Sequence, residues 1–295
     1  MQLSEVKLGH AASAARLSGN APVKVIAVTG GKGGTGKTSV AINLAQALAN
    51  AGRHTLLLDA DLGMANVDVL LGLEPRHTLF DVLYGPCKLE DIILNGAQNL
   101  QVIPAASGVS QLANLGLQEC AGLVRAFSDL REPLEILIVD TATGISSSVA
   151  SFCSAASEIL VVACNEPAAL RDTAAQIRVL FTEFGVSRFR ILANMVDSAH
   201  EGQRLFRHLL ELFSSNLDFT LFYAGYVPSD DHLRRAVALH QPVVNAFPRS
   251  RSAMALNALA RRVSQWPQPQ CAGGHLEFFV ERLIHNENME MEVVS

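Results

Sequence analysis

The chain has 295 residues, 49% hydrophobic and 17% charged, with a net charge of −5. That size and apolar content suit a full core, in one large α/β domain or two small ones, and exclude a disordered chain. The acidic balance gives no global reason to expect nucleic-acid binding, and no apolar run approaches a bilayer span. The five cysteines, Cys87, Cys120, Cys153, Cys164 and Cys271, include no CxxC pair. That usage suits reduced thiols in a cytoplasmic protein, and residues 1–20 lack the apolar block of a signal peptide.

In chain order, residues 1–21 read as a mobile or weakly helical arm. Val25–Thr29 is an apolar strand that runs into Gly30-Gly31-Lys32-Gly33-Gly34-Thr35-Gly36-Lys37-Thr38. Lys37-Thr38 opens a helix whose apolar stripe is Val40, Leu44, Ala47 and Leu48. Gly31-x-x-x-x-Gly36-Lys37-Thr38 between strand and helix is the phosphate-binding loop pattern. Its glycines let backbone N–H groups converge where a Cβ would obstruct them, and the helix N-terminus adds unpaired donors. The expected nucleotide contacts are Gly31, Gly33, Gly34, Thr35, Gly36, Lys37, Thr38 and Ser39. Lys37 is placed to meet the β- and γ-phosphates, and the Thr38 hydroxyl to ligate Mg²⁺.

His54–Leu58 predicts a second strand ending in Asp59-Ala60-Asp61, with both carboxylates turned toward the ligand crevice of an open sheet. Capping of the following helix is a role that suits Asp68 better than Asp61. Thr78–Tyr84 reads as a short helix, Leu100–Pro104 as a strand and Leu117–Leu130 as a helix. Leu134–Val139 is a buried strand ending in Asp140-Thr141-Ala142-Thr143-Gly144. Ile159–Cys164 is the next strand, and Glu166 is able to cap the helix from Ala168 to about Phe184. Phe189–Ala193 is a strand ending in Asn194, itself a common turn residue. Phe219–Tyr223 is a strand, and Ser229 or Asp230 suits the N-cap of helix Asp231–Leu239. Pro248–Val263 supplies a covering helix.

This alternation predicts an α/β fold: one doubly wound, mostly parallel sheet with helices on both faces, spanning residues 22–265. Residues 266–295 read as a linker at Trp266–Gln270, an amphipathic helix and an acidic tail. The helix carries Leu276, Phe279, Val280, Leu283 and Ile284 on one stripe. It can pack as core, dock a partner or lie on a membrane. Its polar face holds Glu277, Glu281 and a single Arg282, which gives anionic lipid little to attract. Docking on protein is favoured, and reversible membrane contact through residues 276–284 stays open.

Lys32-Gly33-Gly34-Thr35-Gly36-Lys37-Thr38 resembles the deviant Walker A loop, usually KGGVGKT, of the MinD/ParA ATPases, with Thr35 in place of the common Val. The resemblance implies ATP with Mg²⁺ and a homodimer in the ATP state, in which Lys32 reaches the partner's phosphates. It implies Lys32, Lys37 and Asp61 as catalytic groups, Asp61 positioning the attacking water. The metal shell would comprise Thr38, Asp59 nearby and Asp140 through water, with the Gly144 N–H sensing the γ-phosphate. Thr143 departs from the usual DTAAG or DSPAG spelling. Glu166 falls where this family meets the partner subunit, and Asn194 where it meets the adenine edge. Gly225-Tyr226-Val227-Pro228-Ser229-Asp230 matches the late GxxPxD signature, placing Pro228 and Asp230 at the base pocket.

Asn66–Leu73, Phe189–Met195 and Gly274–Leu283 resemble the flagellar-number regulators of that family. This implies a slow ATPase that restrains an AAA+ flagellar transcription activator. It would work with a signal-recognition-type flagellar GTPase, in the cytoplasm or peripherally at the cell pole or inner membrane, without sequence-specific nucleic-acid contact. The N-terminal DQxxxLR-like motif of such regulators is degenerate here, since His10–Arg16 lacks the Asp, the Gln and the Leu. The alternative is a positioning or DNA-segregation ATPase acting on another cargo. Its one sign is a mild basic bias, ten Arg against six Asp and Glu between Val186 and Arg262.

Overall fold

The computed structural model describes residues 21–106, 108–109, 112, 115–130, 133–213, 218–269 and 276–284. The first twenty residues, the acidic tail from 285 and Cys271 lie outside that set. The described chain runs β1 (Lys24–Thr29), α1 (Lys37–Asn50), β2 (Thr55–Ala60), α2 (Val67–Leu71), α3 (Leu79–Tyr84), β3 (Leu94–Asn95) and β4 (Leu100–Ile103). It continues α4 (Leu117–Ala126), β5 (Ile136–Thr141), α5 (Ser147–Ala155), β6 (Glu158–Cys164), α6 (Pro167–Phe184) and β7 (Arg188–Val196). Last come α7 (Ala199–Glu211), β8 (Thr220–Pro228), α8 (Asp231–Ala238), α9 (Val243–Ala246) and α10 (Arg251–Ser264).

The eight strands form one sheet in the order β3-β4-β2-β5-β1-β6-β7-β8. Only the short β3 runs antiparallel, against β4. Strands β1, β2, β5 and β6 are buried along their whole length, as strands covered by helices on both faces must be. One face packs under α1, α9 and α10, the other under α4–α7. The chain adds strands on one side of β1 through β5 and on the other from β6, so the crevice at the carboxyl ends opens beside β1. In register, Val28 stands beside Asp140 and Asp140 beside Asp59. Three adjacent strand ends thus deliver the phosphate loop and both aspartates to one place.

Two expectations change. Residues 276–284 do not form one helix, because Phe279 takes φ +56°, in the left-handed region that interrupts a right-handed helix. A helical turn covers only 280–284. Phe278 and Phe279 are instead buried against Phe127, at ring-centroid distances of 5.0 and 5.8 Å. The segment packs as core of the body, and Arg282 is buried with it, donating to the Leu130 carbonyl. Trp266, expected to open a linker, is also pinned. Its carbonyl accepts from the buried Lys24 Nζ at 2.6 Å, and its ring lies 4.1 Å under the Arg190 guanidinium.

Candidate nucleotide site

The loop between β1 and α1 turns through left-handed backbone at Gly34 and Gly36, φ +81° and +85°. Gly31 is fixed by contact, since a Cβ there would lie 2.3 Å from the Asp172 backbone of α6. At Gly33 and Gly34 a Cβ would meet nothing within 4 Å, so these two face open space. Thr35 is fully buried, and its carbonyl accepts from the Asn194 side-chain amide at 2.7 Å. The Thr35 hydroxyl donates to the Lys32 carbonyl at 3.3 Å, so the departure from Val adds a bond that closes the loop on itself. Thr38 and Ser39 lie in the first turn of α1.

Lys37 is buried. Burial lowers its pKa, while the charges of Asp140 and Asp61 act to raise it. Asp140 is fully buried, and neither carboxylate oxygen has a hydrogen-bond partner in good geometry. Its pKa is pushed well above the ordinary carboxylate range, by burial first and by the charge of Asp59 second. The Thr38 hydroxyl and the Lys37 ammonium oppose that shift. Asp59 rises to about 7, chiefly through burial, although three backbone N–H groups hold its charged form. Those donors are Asp61 at 3.2 Å, Asn66 at 3.0 Å and Val67 at 3.1 Å. Asp59 therefore caps the entry to α2, a role the sequence offered to Asp68, which lies inside that helix. Asp61 is half-buried and accepts from the Met64 N–H at 3.2 Å.

Orphaned buried oxygens on Asp140, beside a threonine hydroxyl, fit Mg²⁺ held through water and phosphate. Among the described residues, no group of three or more His, Cys, Asp or Glu side chains is placed to hold a metal ion.

At the rim, Lys32 Nζ lies 2.7 Å from Glu166 Oε2 of the same chain, both largely in solvent. Glu166 precedes α6 without capping it through its side chain. The Gly144 N–H donates to the Gly30 carbonyl at 3.4 Å. Sequence reasoning missed Gln176, which is buried and donates through Nε2 to Thr29 Oγ1 at 2.8 Å and to the Gly144 carbonyl at 2.7 Å. The available signal was a long polar side chain on the inward stripe Ala169, Thr173, Gln176, Leu180 of α6.

A mostly apolar cleft of about 310 Å³ opens beside the loop, lined by Gly36, Ser39, Val40, Asn194, Val227 and Leu233 among others. Its position next to the phosphate cradle suits the base. Asn194 lines it, yet spends its amide N–H on Thr35, so the loop and the cleft share one side chain. The GxxPxD signature contributes Val227, whereas Pro228 is buried at the end of β8 and does not line the cleft. Asp230 is a clamp. Oδ1 accepts from the His232 N–H at 3.0 Å, and Oδ2 from the Ser252 N–H and hydroxyl at 3.0 and 2.9 Å. Burial opposes its charge, but these bonds and the His232 ring outweigh burial and hold the carboxyl below its ordinary range. Its capping alternative is the one realised.

Residues 26–243 match the model of the CobQ/CobB/MinD/ParA nucleotide binding domain. The chain is 51% identical over 265 residues to the antiactivator FleN of Pseudomonas aeruginosa, covering 90% of this chain and 95% of that one. It is 30% identical over 215 residues to the flagellum site-determining protein YlxH of Helicobacter pylori, covering 72% of each. The fold superposes on the septum site-determining protein MinD of Pyrococcus horikoshii, solved with Mg-ADP, at a TM-score of 0.68 and 26% identity, covering 82% of this chain and 96% of that one. A family model over residues 26–243 and a relative half identical along nine-tenths of the chain agree: the chain belongs to the CobQ/CobB/MinD/ParA nucleotide-binding family.

Proposed function

We propose that this chain is a slow Mg²⁺-dependent ATPase that dimerises on ATP and controls flagellar number and placement by restraining a flagellar transcription activator. One observation carries the chemistry. Lys37, at the start of α1, is buried with Asp140 and Asp59, which stand at adjacent strand ends, and neither Asp140 oxygen has a hydrogen-bond partner in good geometry. Such a site stays costly until a polyphosphate and a cation neutralise it. The likeness to an antiactivator over nine-tenths of the chain supports the regulatory half.

In this reading Lys37 and the loop N–H groups hold the triphosphate, and Thr38 and Asp140 would hold Mg²⁺. Bound there, the cation neutralises phosphate charge. Asp61, at the entrance of the switch segment after β2, orients the attacking water. Asp59 acts by fixing that segment through its three backbone bonds. Lys32 and Glu166 form an exposed pair, and exposed pairs hold weakly. Lys32 therefore leaves Glu166 readily for the phosphates of a second copy.

Light scattering with Mg²⁺ and a non-cleavable ATP analogue tests this directly. The wild type should double in mass, Lys32→Ala should bind nucleotide yet stay monomeric, and Asp61→Ala should remain dimeric in ATP. An unchanged monomer mass for the wild type would refute the switch. A pull-down with and without ATP reads the partners, an AAA+ activator first and a signal-recognition-type GTPase second. No helix among the described residues is long and apolar enough to cross a membrane.

A further inference from the structure

Helix α6 touches the nucleotide site at three successive levels. Glu166, just before it, pairs with Lys32. The Asp172–Thr173 backbone packs on Gly31 so closely that no Cβ fits between them. Gln176, one turn further, bridges the end of β1 to the segment after β5, and it is 1% exposed. Nothing local requires a glutamine there. Thr29, one of its two acceptors, is itself buried, and the Cys153 thiol lies beside the Thr29 hydroxyl. A buried glutamine whose Oε1 has no hydrogen-bond partner is a costly choice where Leu or Met would pack.

We propose that Gln176 is a positioning residue for phosphoryl transfer, holding the Gly144 peptide at a fixed distance from the phosphate loop. The geometry supports this in two ways. First, one Nε2 group serves both acceptors, so movement of Gly144 is tied to the strand that carries the loop. Second, Gly144 sits at φ +85° with its N–H directed to Gly30, four residues beyond Asp140. With the Gly144 N–H set toward the phosphate loop and its carbonyl held by Gln176, the two together fix how that N–H is presented to a terminal phosphate. The unpaired Oε1 gives the brace a second setting. If the peptide after Gly144 turns over, its N–H can be accepted by the same side chain, so Gln176 serves both orientations of the switch.

This inference rests on the ATPase reading, and its test separates the two. Single-turnover hydrolysis, fluorescent ADP affinity and ATP-analogue dimerisation are measured for the wild type, Gln176→Leu and Gln176→Glu. In Gln176→Leu we expect hydrolysis to fall about tenfold, with ADP affinity and KM for ATP within about twofold of wild type. In Gln176→Glu a buried carboxyl regains a donor only when protonated. Its rate should therefore recover toward wild type as pH falls from 8 to 6, a response that a merely structural residue would not give. Gln176→Leu with an unchanged rate would overturn the proposal. So would a loss of rate matched by an equal loss of ADP affinity, or a flat pH profile in Gln176→Glu. A wild type that neither hydrolyses nor dimerises would instead refute the ATPase reading itself.

Discussion

Replacing Asp140 with Asn should stabilise the nucleotide-free protein, although it removes the residue assigned to the metal. Asp140 is fully buried, its oxygens are unpartnered, and its pKa is raised well above 3.8 by burial and by Asp59. A native carboxyl kept neutral costs about 1.4 kcal/mol for every pH unit above its unfolded value. The sign follows from proton counts. With the folded pKa raised, the native state binds the extra proton, so stability falls as pH rises from the unfolded value through the folded one. The cost therefore grows with pH from 5 to 8 over the range in which the folded Asp140 keeps its proton. Asn is neutral at every pH but buries an amide that lacks partners, at about 1–3 kcal/mol. The variant should therefore gain on the wild type by about 1.4 kcal/mol, on the order of 3 °C in Tm, for each pH unit between 5 and 8 over which the folded Asp140 stays protonated. Thermal melts of both proteins at pH 5 and 8, with and without Mg-ATP, read this out. Mg-ATP should raise the wild-type Tm at pH 8 and raise the variant far less. An Asn variant less stable than wild type at pH 8 without ligand, or one with the full Mg-ATP shift, would refute the reasoning.

Asp230→Ala breaks the clamp between α8 and α10 and should cost about 2–4 kcal/mol in denaturant melts at pH 7. Because the folded carboxyl titrates below 3.8, that contribution is complete above this value and is lost as pH falls through the lower folded one, so the two proteins should converge in acid. Gly31→Ala drives a methyl into the Asp172 backbone and should lose about 1–3 kcal/mol together with nucleotide affinity. Gly33→Ala, with open space at that point, should leave the free protein's melting unchanged and weaken nucleotide binding alone. Phe278→Ala opens a cavity beside Phe127 and Phe152 and should cost about 3–5 kcal/mol. If the 276–284 segment were instead a membrane anchor, the melt would be unaffected and vesicle co-sedimentation would drop.

The strand before Gly30, the glycine spacing and Lys37-Thr38 made the phosphate site legible, because left-handed turns and helix starts depend on neighbours a few residues away. Strand ends at Asp59 and Asp140 were legible for the same reason, through apolar runs broken by a carboxylate. The helices α5 and α7 escaped notice. Helix α5 is buried nearly all round, so its residues show little amphipathic contrast. The tail stripe misled in the other direction. Leu276, Phe279, Val280, Leu283 and Ile284 have helical spacing, but the pocket beside Phe127 holds two consecutive aromatics, and that requires the turn at Phe279.

Chain order and residue type alone determined the sheet class, the phosphate loop and the acids available to it, since each follows from short-range backbone preference and periodicity. Which of those acids is bound and which is left bare was decided only by tertiary structure. Asp59 meets three N–H groups, Asp140 meets none, Asp230 clamps two helices, and Gln176 spans to a threonine 147 positions away. A side chain's charge state depends on what the fold brings against it and on how much water it excludes, and neither is written in the residues beside it.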